Sequence, residues 1–407
     1  MTEASQGTTW IGQVVTPDEF ITEGAVVTIG DKIAWVGQAS QIPPQYEGVP
    51  VATLQSNSMI LPGLVDVHCH GGGGESFPDS VSLDQVKVAA EEHLKHGTTT
   101  LIASLVTAPV DVLEQRATLL AQASQQGIIQ GIHYEGPFLS EARCGAQDPR
   151  YLIPATPDVA KRLVKAAQGE AVTMTIAPEM CLDEAGKESV RVLVDGGILP
   201  SWGHTDCAVE QANQAIQEGV TALGSAKTPV RGGRATATHL FNGMRPLHHR
   251  DPGPVPAFLS AAKAGEIVVE MINDGVHLDP ALVAEVLNLV GRENAVFVTD
   301  AMAAAGMADG SYVLGPQEVR VEGGVARLAK GDAIAGGTSH LLDCVRTAVV
   351  KGEIDLVDAV YLASAQGAKI LGLADRGRLE PGMRADLVIT DDNLFPVTVV
   401  RQGREVA

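Results

Sequence analysis

Residues 60–70 read ILPGLVDVHCH, a short apolar run that ends in two histidines with one residue between them. The run is too short and too apolar for a surface helix, and it fits a strand buried on both faces. Alternate residues of a strand point the same way. His68 and His70 therefore face one point, and Cys69 between them turns into the core.

The same kind of text recurs downstream. TTTLIASLV at 98–106, IQGIHYEG at 129–136, VTMTIAPE at 172–179, LPSWGHT at 199–205, ATHLFN at 237–242, VVEMINDGVH at 268–277 and NAVFVTDAM at 294–302 bring the candidate strands to eight. Amphipathic stretches separate them. Near 157–168 the apolar stripe is Val159, Leu163, Val164 and Ala167; near 281–290 it is Leu282, Val286 and Leu289. Strands alternating with helices predict an α/β fold, a (β/α)₈ TIM-like barrel. The rival doubly wound sheet lacks support, because Gly71–Gly74 follows two histidines without the dinucleotide spacing.

Both ends of the chain read differently from this middle. Gly24–Gly37 holds two apolar runs around Gly30-Asp31, a hairpin signal. After about Leu373 the text again becomes turn and strand. The expected organisation is a small β-sandwich domain built from 1–58 and 374–407, flanking a barrel over 59–373.

Composition narrows the function. The 407 residues carry a net charge of −20, which repels nucleic acid and anionic membranes. A phosphate in a substrate must then be held by a few local cations. No run approaches the roughly 18 apolar residues of a membrane span, and MTEASQG does not open a signal peptide. Five scattered cysteines read as free thiols of a cytoplasmic protein.

Function in such a barrel gathers at the C-terminal ends of the strands. There the sequence places His68 and His70 (first strand), Glu135 (third), His204 (fifth), His239 (sixth) and Asp300 (eighth), every one a candidate ligand for a divalent metal. Singly, each has an ordinary structural reading; Asp300, for example, could cap a helix at AMAAAG.

The set resembles the amidohydrolase superfamily, in which HxH ends the first strand and Asp the eighth. More narrowly it is similar to the N-acetylglucosamine-6-phosphate deacetylases, on LPGLVDVHCHGG, HYEGPFLS, TIAPE, GHTD, THLFNGMRP, NDGVHLDP and VTDAMAAAG, with GRLEPGMRADLVI resembling the superfamily's returning β segment. The resemblance implies metal-dependent hydrolysis of N-acetylglucosamine 6-phosphate to glucosamine 6-phosphate and acetate. It implies Glu135, His204 and His239 as a metal-binding trio, His68 and His70 as ligands of a second ion bridged by Glu135, and Asp300 as acid/base. The metal is a divalent ion of zinc type, one or two per subunit. For substrate it implies Asn242 and Gly243 in a binding turn, and His277 with Arg250 on the sugar phosphate. Arg250 would come from the neighbouring subunit of a homodimer. The loop RCGAQDP departs from the family pattern KGAHDP: Cys144 replaces a basic residue, and Gln147 replaces the histidine expected at the acetamide. Three alternatives stay open: the galactosamine epimer as substrate, another amidohydrolase such as a cyclic-amide hydrolase, and a non-catalytic barrel. Cyclic-amide hydrolases usually carry a lysine where this strand ends in Glu135.

Overall fold

The structure is a computed structural model and describes residues 7–407. Its centre is an eight-stranded parallel sheet. In chain order the strands are Leu64–Cys69, Thr98–Val106, Ile132–Glu135, Ala171–Ile176, Leu199–Trp202, Ala235–Ala237, Ile267–Met271 and Ala295–Phe297, each paired to the next. The eighth closes on the first just past its end: the Asp300 amide donates to the His68 carbonyl at 2.9 Å, and the His70 amide to the Ala301 carbonyl at 2.7 Å. Helices cover the outside and side chains fill the inside. Residues on both faces of every strand are therefore buried, which is why the strands are nearly continuous in apolar character.

Helix starts follow local chemistry. Ser82 caps Leu83–Lys95 by accepting from the Gln85 amide. Asp279 caps Pro280–Val290, whose proline occupies a first-turn position where no amide is needed. The packed face of that last helix differs from the expected one. Val283, Val286, Leu287 and Val290 are buried, whereas Leu282 and Leu289 are 39% and 50% exposed. The segment ALVAEVLNLV is apolar on more than one side, so periodicity fits two faces and barrel packing selects between them.

Both chain ends meet in one sheet of seven strands. Gly7–Val15, Phe20–Ile29 and Lys32–Gln38 form a meander, with the second hairpin turning at Gly30-Asp31. Leu387–Thr390, Pro396–Arg401 and Arg404–Glu405 form the other wing. Met59–Pro62 joins the two wings, parallel to Gly7–Val15 and antiparallel to Leu387–Thr390. That strand thus lies in the terminal sheet, and the barrel's own first strand begins at Leu64. Trp10, Ile33, Ile60, Leu387 and Ile389 form this sheet's core.

One element has no counterpart in the strand–helix pattern. Between the eighth barrel strand and helix Leu341–Val350, a three-stranded antiparallel sheet (Gly310–Leu314, Gln317–Glu322, Val325–Leu328) folds over the strand ends. Leu314 and Ile334 from this insertion line the mouth of the central cavity.

Candidate metal centre

Two ligand sets share one carboxylate. Glu135, at the end of the third strand, sends Oε1 to His204 Nε2 at 3.0 Å and His239 Nε2 at 2.9 Å. Its Oε2 lies 3.1 Å from His70 Nε2. His70 Nε2 is also 3.2 Å from Asp300 Oδ1, and His68 Nε2 is 3.2 Å from His70 Nε2 and 3.4 Å from Asp300 Oδ1. One set is therefore Glu135, His204 and His239; the other is His68, His70, Glu135 and Asp300. All six side chains are buried.

Several backbone positions are held in a region that non-glycine residues rarely occupy. His204, His239 and Asp300 have φ of +46°, +28° and +48°. Such conformations cost roughly 1–3 kcal/mol each and persist where the surroundings over-determine them. Here each lies just beyond a strand end and turns its side chain inward. Gly243 (φ +59°) packs against the His204 ring so closely that a Cβ would lie 2.8 Å from Nδ1. Only glycine leaves that ring where it is.

In three of the four histidines the outer ring nitrogen is engaged in a way that leaves Nε2 facing inward, whereas His239 Nδ1 is buried without a partner among the described residues. His204 Nδ1 donates to the Arg143 carbonyl at 2.8 Å and His70 Nδ1 to the Ser104 carbonyl at 3.2 Å. His68 Nδ1 lies 3.2 Å from Glu270 Oε2. This is the pattern by which proteins fix the tautomer and orientation of ligating histidines. Burial by itself drives the imidazoles toward neutrality, but the carboxylates override it: Asp300 and Glu135 raise His70 to about 10, and Glu135 raises His239 to about 9. Burial likewise pushes the acids up. Against it, His68 and His70 hold Asp300 at about 2, and His204 with His239 and His70 hold Glu135 well below the ordinary carboxylate range. The carboxylates thus favour positive charge within the cluster, and four imidazoles with two carboxylates are a donor set that fits a borderline divalent ion.

Above the cluster lies a cavity of about 250 Å³ whose walls include Gln147, Asn242, Gly243 and His277. His277 is fixed by Asp274, Nδ1 to Oδ2 at 2.8 Å. Asn242 Nδ2 reaches the His239 and Leu240 carbonyls at 3.3 Å each. Gln147 is buried with both ends engaged: Nε2 donates to Glu135 Oε2 at 2.5 Å, and Oε1 accepts from the Thr107 amide at 2.7 Å. Arg250 is exposed, pairs with His249 at 2.8 Å, and is absent from the cavity wall of its own chain. Cys144 is half-buried and belongs to neither ligand set.

Sequence reasoning passed over two buried acids. Glu270 stands in the seventh strand beneath His68. Asp66, in the first strand, accepts from Thr299 Oγ1 at 2.6 Å and ties the first strand to the eighth; burial raises it to about 6. The available signal was a lone acid inside each apolar run, VVEMI and LVDVH.

Known proteins are consistent with this arrangement. The model of the amidohydrolase family matches residues 59–406. N-acetylglucosamine-6-phosphate deacetylase of Lysinibacillus sphaericus is 31% identical over 373 residues, 90% of this chain and 91% of that protein. N-acetylgalactosamine-6-phosphate deacetylase of Escherichia coli O157:H7 is 30% identical over 88% of this chain and 90% of its own length. A crystal structure of a mutant N-acetyl-D-glucosamine-6-phosphate deacetylase from Mycobacterium smegmatis, in complex with N-acetyl-D-glucosamine-6-phosphate, superposes with a TM-score of 0.86 at 36% identity, covering 98% of each chain. The chain belongs to the amidohydrolase family.

Proposed function

We propose that this chain hydrolyses the acetamide of N-acetylglucosamine 6-phosphate, giving glucosamine 6-phosphate and acetate. The observation that carries the reading is the Glu135-centred cluster beneath a cavity just large enough for a small polar ligand. Its support is the similarity, over nearly the whole chain, to enzymes bearing that name.

Glu135, His204 and His239 would hold one divalent ion, and His68 with His70 a second, zinc suiting the nitrogen–oxygen donor set. The chemistry such an ion would supply when bound is polarisation of the amide carbonyl and a lowering of the pKa of water to about 7. Asp300 Oδ1 faces the same point. Kept ionised by His68 and His70, it is the carboxylate placed to take the proton of the attacking water and return it to the departing nitrogen. Gln147 holds Glu135 in place, and Asn242 and Gly243 form the turn against which the sugar rests. His277, oriented by Asp274, takes the phosphate together with Arg250 of a neighbouring subunit, which would make the working form a homodimer. Five unpaired cysteines support a cytoplasmic setting. No helix among the described residues is long and apolar enough to cross a membrane.

The galactosamine epimer is a second reading, favoured by the 30% identity to the Escherichia coli enzyme. Acetate release from both phosphorylated sugars and their unphosphorylated forms, with metal content measured on the same preparation, tests the proposal. Preferred turnover of the glucosamine ester by metal-loaded protein is expected. Full activity without metal, or none on either ester, would overturn it.

A further inference from the structure

We infer that Glu270 is the positioning residue of His68, and through it sets how tightly the His68–His70 end of the centre holds an ion. The inference rests on the metal-centre reading above and assigns a residue that the ligand set leaves out.

Glu270 is buried inside the barrel on the seventh strand and does not reach the cavity, so it cannot touch a substrate. Its Oε2 faces His68 Nδ1 at 3.2 Å and the His239 amide at 3.4 Å; its Oε1 accepts from Thr236 Oγ1 at 3.0 Å. Among the described residues no lysine or arginine pairs with it, and His68 is its ion-pair partner. A buried carboxylate supported only in this way is costly unless positive charge stands beyond the imidazole. Two divalent ions would supply that charge.

The geometry says what Glu270 does for His68. A half-turn of that ring about Cβ–Cγ would exchange Nδ1 with a carbon and swing Nε2 away from His70 and Asp300. The hydrogen bond to Glu270 disfavours that half-turn. His133 covers the ring at a centroid distance of 4.5 Å. A chain of hydroxyls, Thr175, Thr238, Ser201 and Thr236, runs from His133 back to Glu270 with successive contacts between 2.5 and 3.1 Å. The support is therefore fixed on both sides. His70 and His204 present their outer nitrogens to backbone carbonyls. Only His68 has a carboxylate there, and a carboxylate makes an imidazole a stronger donor to metal.

The test is equilibrium competition of cobalt(II) against a chromophoric chelator, on wild type, Glu270→Gln, Thr236→Val and His68→Ala. The step lost in His68→Ala identifies the ion concerned. Glu270→Gln keeps the shape and removes the charge; it should weaken that step by about ten- to a hundredfold and leave the other in place. Thr236→Val, which frees Oε1, should move the same step by less, and it decides the matter if the Gln variant does not fold. Equal weakening of both steps would make Glu270 a structural residue, and no change in either would make it a core filler; both overturn the inference. A wild type that binds no cobalt would instead sink the metal-centre reading itself.

Discussion

Gly243→Ala puts the least atom possible against the centre, and its consequence can be worked from contacts. The residue sits at φ +59°, where an L side chain costs about 1–2 kcal/mol. The added Cβ would lie 2.8 Å from His204 Nδ1, 3.1 Å from Cε1 and 3.3 Å from Cγ, so ring or backbone must give way. The ring has little room: Nδ1 is tied to the Arg143 carbonyl at 2.8 Å and Nε2 faces Glu135 at 3.0 Å. Losing the first of these contributes about 1 kcal/mol more, for a total near 2–3 kcal/mol. If the ring moves, the loss falls on metal affinity, because displacing the support of a ligating histidine typically weakens binding by about ten- to a hundredfold. The assay is metal affinity by chelator competition together with kcat and KM. Weaker metal binding, with kcat restored at saturating metal, is expected. Unchanged metal affinity with a raised KM would refute the reasoning and make Gly243 a substrate contact alone.

Asp300→Asn should retain metal and fold but lose kcat by about a hundredfold or more, read from acetate release; near-normal turnover would remove Asp300 from proton transfer. Gln147→Ala frees Glu135 Oε2 and the Thr107 amide together, so kcat should fall more than KM rises; an effect on KM alone would mean that Gln147 meets the substrate instead. Arg250→Ala should raise KM for the phosphorylated sugar by roughly ten- to a hundredfold and spare the free sugar. Mixed with Asp300→Asn protein, it should recover activity through hybrid sites, and no recovery after verified subunit exchange would place Arg250 within its own subunit.

What the sequence made legible follows from what burial does to composition. All eight barrel strands stand out because a parallel strand covered on both faces tolerates almost nothing polar, so the few polar residues mark the ends. That is how His68, His70, Glu135, His204, His239 and Asp300 stand out as candidates among 407 residues, and the fold brings all six together. The same rule hides what lies one layer deeper. Glu270 and Asp66 sit inside the apolar runs, where an acid reads as an interruption; only the pairing of distant strands shows that each meets a partner, His68 in one case and Thr299 in the other.

Other features fail to register because a local pattern cannot choose between equivalent packings. Met59–Pro62 and Leu64–Cys69 form one apolar stretch broken at Gly63, and nothing within it says that the two halves serve different sheets. Gly63 makes the division possible. A Cβ there would lie 2.2 Å from Thr99 Oγ1 and 2.8 Å from the Asp386 Cβ, so the chain can cross between the barrel and the terminal sheet at this point only without a side chain. The start of the first barrel strand is thereby packed directly against the returning C-terminal segment, with the Gly63 amide donating to the Asp386 carbonyl at 2.9 Å. Substitution at Gly63 would have to displace either the second barrel strand or the returning C-terminal segment before it could be accommodated.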